Sequence, residues 1–303
     1  MGPTEAISAR ALAKVYRGGR GIFELDFTVR EGEIFGFLGP NGAGKTTTIR
    51  TLIGLLRPTA GAATIFGLDC WREATAAKAK VGFVPSDPRL YEKMTGAAFL
   101  EFMASYRGPG TLDRARKLAA ELDLDLRPRI RQLSRGNRQK LILVQGLMHD
   151  APLLILDEAS GGLDPLGQEA FLTMLERERS RGRTVFLSSH NLAEVERVAD
   201  RVGIIREGRM VAVEEIAKLR ELRSRKMEVT LERPLENGFL DGLEGVRLVA
   251  SRDGGRQLEL AVRGNPRTLL SRLAGAPIVD VVFPPADLES VFLHFYRDDG
   301  SGS

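Results

Sequence analysis

Residues 39 to 46 read G-P-N-G-A-G-K-T, a glycine-rich run closed by a lysine and a threonine. The spacing G-x-x-x-x-G-K-[ST] suits a loop that wraps a phosphate chain. Gly39, Pro40, Asn41, Gly42, Ala43 and Gly44 supply a curl of backbone N–H groups that aim at one point. The glycines permit both the curl and a close approach of the backbone. Lys45 can carry its ammonium to the β- and γ-phosphates, and the Thr46 hydroxyl can take Mg²⁺. Gly39 through Thr47 are therefore the candidate nucleotide-binding residues.

Two carboxylates follow about a hundred residues on. In "LLILDE", residues 153 to 158, four apolar residues precede Asp157 and Glu158. A buried strand would deliver Asp157 to the carboxyl edge of a sheet, where it can hold Mg²⁺. Glu158, one residue on, can polarise an attacking water. "QLSRGNRQK", residues 132 to 140, leads into the apolar run "LILVQGLM". Ser134 and Gly136 at that helix start make either a second anion site or an ordinary N-cap. "SGGLDP", residues 160 to 165, is a turn in which Asp164-Pro165 opens a helix. "FLSSHNLAEVE" sets His190 directly after an apolar strand, with Asn191 as N-cap and Glu194 at the capping-box position.

The elements that must position these residues are legible in outline. "EIFGFL" before the loop has strand length. After it Ile49, Leu52, Ile53 and Leu56 fall on one helix face. Strand-like runs are "IFELDFTV", "EIFGFL", "ATIFG", "KVGFVP", "LLILDE", "TVFLSS", "RVGIIR" and "RMVAVE". The early ones suggest antiparallel pairing, and the later ones alternate with helices, as in a parallel sheet. Residues 88 to 150 read as a helical insertion. Within it "TLDRARKLAAELDL" places Leu112, Ala115, Ala119 and Leu122 on one face, with Thr111 as N-cap. After "KLRELRSRKM" the texture changes. "MEVTLE", "GVRLVAS", "QLELAV" and "IVDVVF" alternate like strands, while "PRTLLSRLAG" and "DLESVFLHFY" look helical. The expected division is an α/β unit over 4–218, a small α+β domain over 224–297 and a flexible tail over 298–303. Leu288, Val291, Phe292 and Phe295 are expected in the core of the small domain.

Composition narrows the classes. A hydrophobic content of 43% over 303 residues supports a real core. No apolar run approaches the ~18–20 residues that span a bilayer, so a soluble chain is expected. The N-terminal "MGPTEAISAR" has no apolar signal core. One cysteine, Cys70, excludes an internal disulfide and suits the cytosol. Lys plus Arg number 44 against 40 Asp plus Glu, and a net +4 is too mild to argue for a nucleic-acid partner.

Taken together and in this order, the motifs resemble those of the ATP-binding cassette (ABC) family of transport ATPases, over roughly residues 4 to 218. On that resemblance "GPNGAGKT" is the Walker A motif, Asp157 belongs to Walker B, and Glu158 is the catalytic glutamate. Leu133-Ser134-Arg135-Gly136-Asn137 matches the signature motif, Asp164 the D-loop and His190 the switch histidine. Tyr16 stands where the family places an aromatic that stacks on adenine; the other reading is a strand aromatic in the core. Ser86, in "FVPSDP", occupies the Q-loop position usually held by glutamine. Arg135, Asn137 and Ala159 replace a frequent glycine, glutamine and proline.

The resemblance implies a P-loop α/β fold with a mixed sheet, an antiparallel β part and a helical insertion. It implies ATP and Mg²⁺ as ligands, with Lys45, Glu158 and His190 catalytic. It also implies a head-to-tail sandwich of two cassettes, most simply a homodimer. The chain is similar to the motor of the type-two ABC exporter group, which works with a separate transmembrane permease on the cytoplasmic side of the membrane. The permease would dock near Ser86 to Thr95. The trailing domain resembles an accessory domain carried by many such motors. Drugs are among the candidate substrates. The alternative is an ABC ATPase of a soluble machine for DNA repair or translation. That class often carries a coiled-coil insertion or two fused cassettes, and this chain has neither. A GTPase is disfavoured by the lack of an N-K-x-D motif.

Overall fold

Apolar runs too dense for one-sided burial form the fully buried strands of the first of two compact units. The computed structural model describes residues 4–221, 224–236 and 238–284. The expected helix "DLESVFLHFY", with Leu288, Val291, Phe292 and Phe295, and the tail lie outside them. Strands β1 (Glu5–Val15), β2 (Gly21–Arg30) and β3 (Ile34–Leu38) precede helix α1 (Lys45–Leu52). Next come β4 (Ala60–Ile65), β5 (Leu68–Asp69), α2 (Ala74–Ala79) and β6 (Val81–Val84). A helical stretch holds α3 (Gly96–Ala104), α4 (Thr111–Glu121) and α5 (Arg135–Leu147). Then follow β7 (Leu153–Asp157), α6 (Pro165–Ser180), β8 (Thr184–Ser189), α7 (Leu192–Val198), β9 (Arg201–Arg206) and β10 (Arg209–Glu215).

The six-stranded sheet has the order β10-β9-β3-β8-β7-β6. Its pairs β9/β3, β3/β8, β8/β7 and β7/β6 are parallel. Every residue of β3 and β7 is buried, as expected for parallel strands covered on both faces. A second sheet, β2-β1-β4-β5, is antiparallel. Phe27 of this sheet packs against Phe35, Phe37 and Phe186 of the first, with ring centroids 5.7–6.1 Å away. Such aromatic packing contributes beyond area burial alone. It joins the two sheets in one core that also takes in Ala43 of the phosphate loop.

Three local expectations need correction. The β1 segment, "EAISARALAKV", is absent from the strand-like runs because alanine, arginine and lysine are poor strand formers. Pairing with β2 on one side and β4 on the other makes it a strand. Ala11 bulges at φ 44°, and its N–H donates to the Asp26 carboxylate at 2.8 Å. Helix α1 ends before Leu56, because the N–H groups of Leu55 and Leu56 both turn back to the Arg50 carbonyl. Thr111 is not the N-cap of α4. Gly110 holds that position in a left-handed conformation, and the Thr111 hydroxyl donates to the Gly108 carbonyl at 2.7 Å. Elsewhere α5 is pressed onto β6: a Cβ at Gly146 would lie 2.4 Å from Val84 Cγ2.

The chain divides into two compact units, Met1–Glu214 and Glu215–Ser303. The second begins with α8 (Ile216–Glu221), followed by β11 (Ser224–Leu231), β12 (Val246–Arg252), β13 (Gln257–Arg263), α9 (Arg267–Leu273) and β14 (Ile278–Val282). Its antiparallel sheet runs β12-β13-β11-β14. Met227, Val229, Leu258, Leu260 and Val262 form its core with Leu269 and Leu273 of α9.

Candidate functional site

Residues 39 to 44 join the end of β3 to the start of α1, so the curl sits at the carboxyl edge of the parallel sheet. Gly44 adopts φ 110°, and a Cβ there would lie 2.8 Å from Ile22 Cγ2. Only glycine meets both demands. Lys45 is 4% exposed. Its Nζ donates to the carbonyls of Gly39 at 2.6 Å and Pro40 at 3.1 Å, and lies 3.1 Å from Glu158 Oε1.

Asp157, at the end of β7, is 1% exposed and gathers three hydroxyls. Thr46 Oγ1 donates to its Oδ2 at 2.9 Å and Ser86 Oγ to the same atom at 3.0 Å. Ser188 Oγ donates to Oδ1 at 2.8 Å. These four groups arrive from four places along the sheet edge. They are all hard oxygen donors, the set that suits Mg²⁺ rather than a soft metal. Ser188 escaped the motif reading, because "SS" at a strand end is common.

Glu158 holds a backbone φ of 50°, uncommon outside glycine. Such strain collects at functional sites. Its N–H donates to the Ser188 carbonyl at 3.1 Å. One carboxylate oxygen faces Lys45 and the other lies 3.3 Å from His190 Nδ1. The carboxylate is thus held between an ammonium and an imidazole.

Lys45, Thr46, Ser86 and Glu158 open into a cavity of about 470 Å³ that Tyr16, Arg20, Gly21, Asn41, Gly42, Gly44 and Thr47 also line; Asp157, Ser188 and His190 are not part of its lining. Tyr16 lies just past β1 and is 41% exposed at the rim, so it is not a core aromatic. Lys14 Nζ sits 5.8 Å from its ring centroid. Arg20 is an addition to the motif residues. Its signal was a cation within the glycine-rich turn "RGGRG" beside Tyr16. Asp87 is exposed and does not line the cavity.

Ser134, Arg135, Gly136, Asn137 and Asp164 do not line this cavity. Ser134 caps α5, accepting the Asn137 N–H at 3.2 Å, with Arg135 and Gly136 in the first turn. That start of α5 rests on the turn after Glu158, where Gln139 Nε2 donates to the Ala159 carbonyl at 2.7 Å. Asp164 caps α6 by accepting the Gly167 N–H at 2.7 Å. Asn191 caps α7, accepting the N–H groups of Ala193 and Glu194. The expected capping box does not close. The Glu194 carboxylate takes the Ser189 hydroxyl, and the Asn191 N–H goes to Ser189 Oγ.

The family profile described as "ABC transporter" matches residues 22–161. The chain is 36% identical over 244 residues to the fluoroquinolones export ATP-binding protein of Mycobacterium tuberculosis, covering 80% of this chain and 81% of that one. It is 35% identical over 209 residues to the bacitracin transport ATP-binding protein of Bacillus licheniformis, covering 68% of each. Among solved structures, an ATP-binding subunit of an ABC transporter superposes with a TM-score of 0.66 at 31% identity, covering 71% of this chain and 92% of that one. The chain belongs to the ABC transporter family, among its ATP-binding subunits.

Proposed function

We propose that this chain is the ATP-hydrolysing motor of an exporter. It works as a head-to-tail pair of cassettes on the cytoplasmic side of the membrane, beneath a separate permease. The observation that carries the reading is the row Lys45–Glu158–His190, of which Lys45 and Glu158 line the cavity together with Thr46, the donor to Asp157. In it the loop N–H groups and Lys45 hold the phosphates, Tyr16 stacks on the base, and Glu158 accepts a proton from the attacking water. His190 orients Glu158. Thr46 and Asp157 would hold Mg²⁺, which supplies charge neutralisation for the phosphates. Ser86 Oγ donates directly to the Asp157 carboxylate, which favours Ser86 over Asp87 as the Q-loop sensor.

Ser134 and Gly136 stand at an exposed helix start outside their own chain's cavity. They can serve an ATP only in a second copy, which supports the sandwich and a homodimer. Tyr91, Phe102 and Tyr106 form an exposed aromatic row on the helical stretch, with successive centroids 5.6 and 5.3 Å apart. It offers the permease a docking face beside Ser86. No helix among the described residues is long and apolar enough to cross a membrane; the permease of this reading is a separate partner. The small α+β domain expected over 224–297 has a regulatory or assembly role. The export and transport names of the relatives support this reading over a soluble machine.

The test is co-purification from detergent-solubilised membranes of cells that make the tagged chain. A polytopic membrane protein is expected in stoichiometric amount, with ATPase activity in the complex. Recovery with ribosomes or DNA-repair proteins instead would overturn the transport reading.

A further inference from the structure

Beneath the loop that carries His190 lies a carboxylate with no part in the reading above. Glu194 is 7% exposed in the first turn of α7. Its Oε2 accepts the Ser189 hydroxyl at 2.5 Å, a length typical of a charge-assisted O–H···O bond. The same Ser189 Oγ accepts the Asn191 N–H at 3.0 Å. Through one hydroxyl, Glu194 is tied to both residues that flank His190. Glu194 and Ser160, in the turn that follows Glu158, line one cavity together with Asn191. The Ser160 hydroxyl is near enough to favour the charged form, yet Oε1 has no partner at hydrogen-bond geometry. Burial raises the carboxyl above its ordinary range. Ser189, Ser160 and His190 pull it back, and Glu158 pushes it up.

Burying a carboxylate costs free energy that its hydrogen bonds must offset. A helix first turn needs nothing of the kind, since Asn191 already caps it. We propose that Glu194 is a positioning residue, which clamps the Ser189–Asn191 turn against the turn after Glu158 and so fixes the His190–Glu158 spacing. The spacing held is 3.3 Å from Nδ1 to Oε2. The inference rests on the ATPase reading, because only there does this spacing set a rate.

The test uses the full chain and steady-state hydrolysis of Mg²⁺-ATP. Glu194→Ala and Ser189→Ala should each lower kcat by about tenfold and leave KM within about twofold, since orientation and not binding is lost. Glu194→Gln keeps an oxygen that can accept the Ser189 hydroxyl, so it should retain most of the rate. The double alanine variant should be no slower than either single one. Thermal unfolding and ATP binding verify that each variant is folded; should Glu194→Ala not fold, Ser189→Ala and Glu194→Gln carry the test. Parental kcat in both alanine variants, equal losses in Glu194→Gln and Glu194→Ala, or a change confined to KM would overturn the proposal. The underlying reading has its own control. Glu158→Gln must slow turnover by about 10²-fold or more, and if it does not, the ATPase site itself is misassigned.

Discussion

Lys45→Ala removes the ammonium around which the phosphate loop closes. Its Nζ serves two loop carbonyls and one carboxylate, at 2.6, 3.1 and 3.1 Å. Hydrogen bonds from a charged donor contribute about 1.5–3 kcal/mol each. The vacated space adjoins an open cavity, so water recovers part of that. A net loss of about 2 kcal/mol in stability is expected, or roughly 4–8 °C in Tm. The effect on ATP is larger. Truncating one partner of a desolvated charge pair costs about 2–5 kcal/mol. At about 3 kcal/mol, Kd for ATP rises about 150-fold. Hydrolysis should be abolished, because the same ammonium faces the charge that develops on the γ-phosphate. Fluorescent-nucleotide titration gives Kd, phosphate release gives the rate, and a thermal melt gives the stability term. A Kd within about threefold of the parent in a folded variant, or phosphate release at the parental rate, would refute the assignment of Lys45 to the phosphates.

Glu158→Gln should keep ATP binding, slow hydrolysis by ~10²-fold or more, and let an ATP-held dimer accumulate on size-exclusion chromatography; a fully active monomer contradicts the sandwich. Ser86→Ala should shift the Mg²⁺ dependence of activity while Asp87→Ala leaves it alone, since only Ser86 reaches Asp157; equal behaviour in a Mg²⁺ titration removes this loop from the mechanism. His149 gives a pH prediction. Burial lowers its pKa, and the contact of Nε2 with the Val81 carbonyl at 2.9 Å pulls it only partly back up. Below pH ~6.5 the unfolded chain therefore binds more protons at this site than the folded one. Its stabilising term is complete above that pH and is lost as pH falls through the depressed folded value. Urea midpoints at pH 7.5 and 5.5 should diverge less in His149→Gln than in the parent, and an unchanged difference would rule His149 out as the source.

Chemistry written within a few adjacent residues is legible in the sequence. The curl from Gly39 to Gly44 and the lysine behind it are one local motif. The caps Ser134, Asp164 and Asn191 act on N–H groups two or three residues away, so their types and positions suffice. The buried runs of β3 and β7 declare themselves by composition. What only the tertiary structure decided is the partner of each group. Asp157 meets hydroxyls 111, 71 and 31 residues distant. It does so because β7 lies between β6 and β8, with β3 beyond β8. β1 is a strand because two neighbours pair with it, against its own propensities. Glu194 turned from the expected capping box to Ser189, and Arg20 entered the cavity wall, through contacts made by folded neighbours. Local periodicity states which face of an element is apolar, and it carries no information about which element lies alongside. That choice comes from packing the whole sheet, and at this site packing sets the distances on which the chemistry depends.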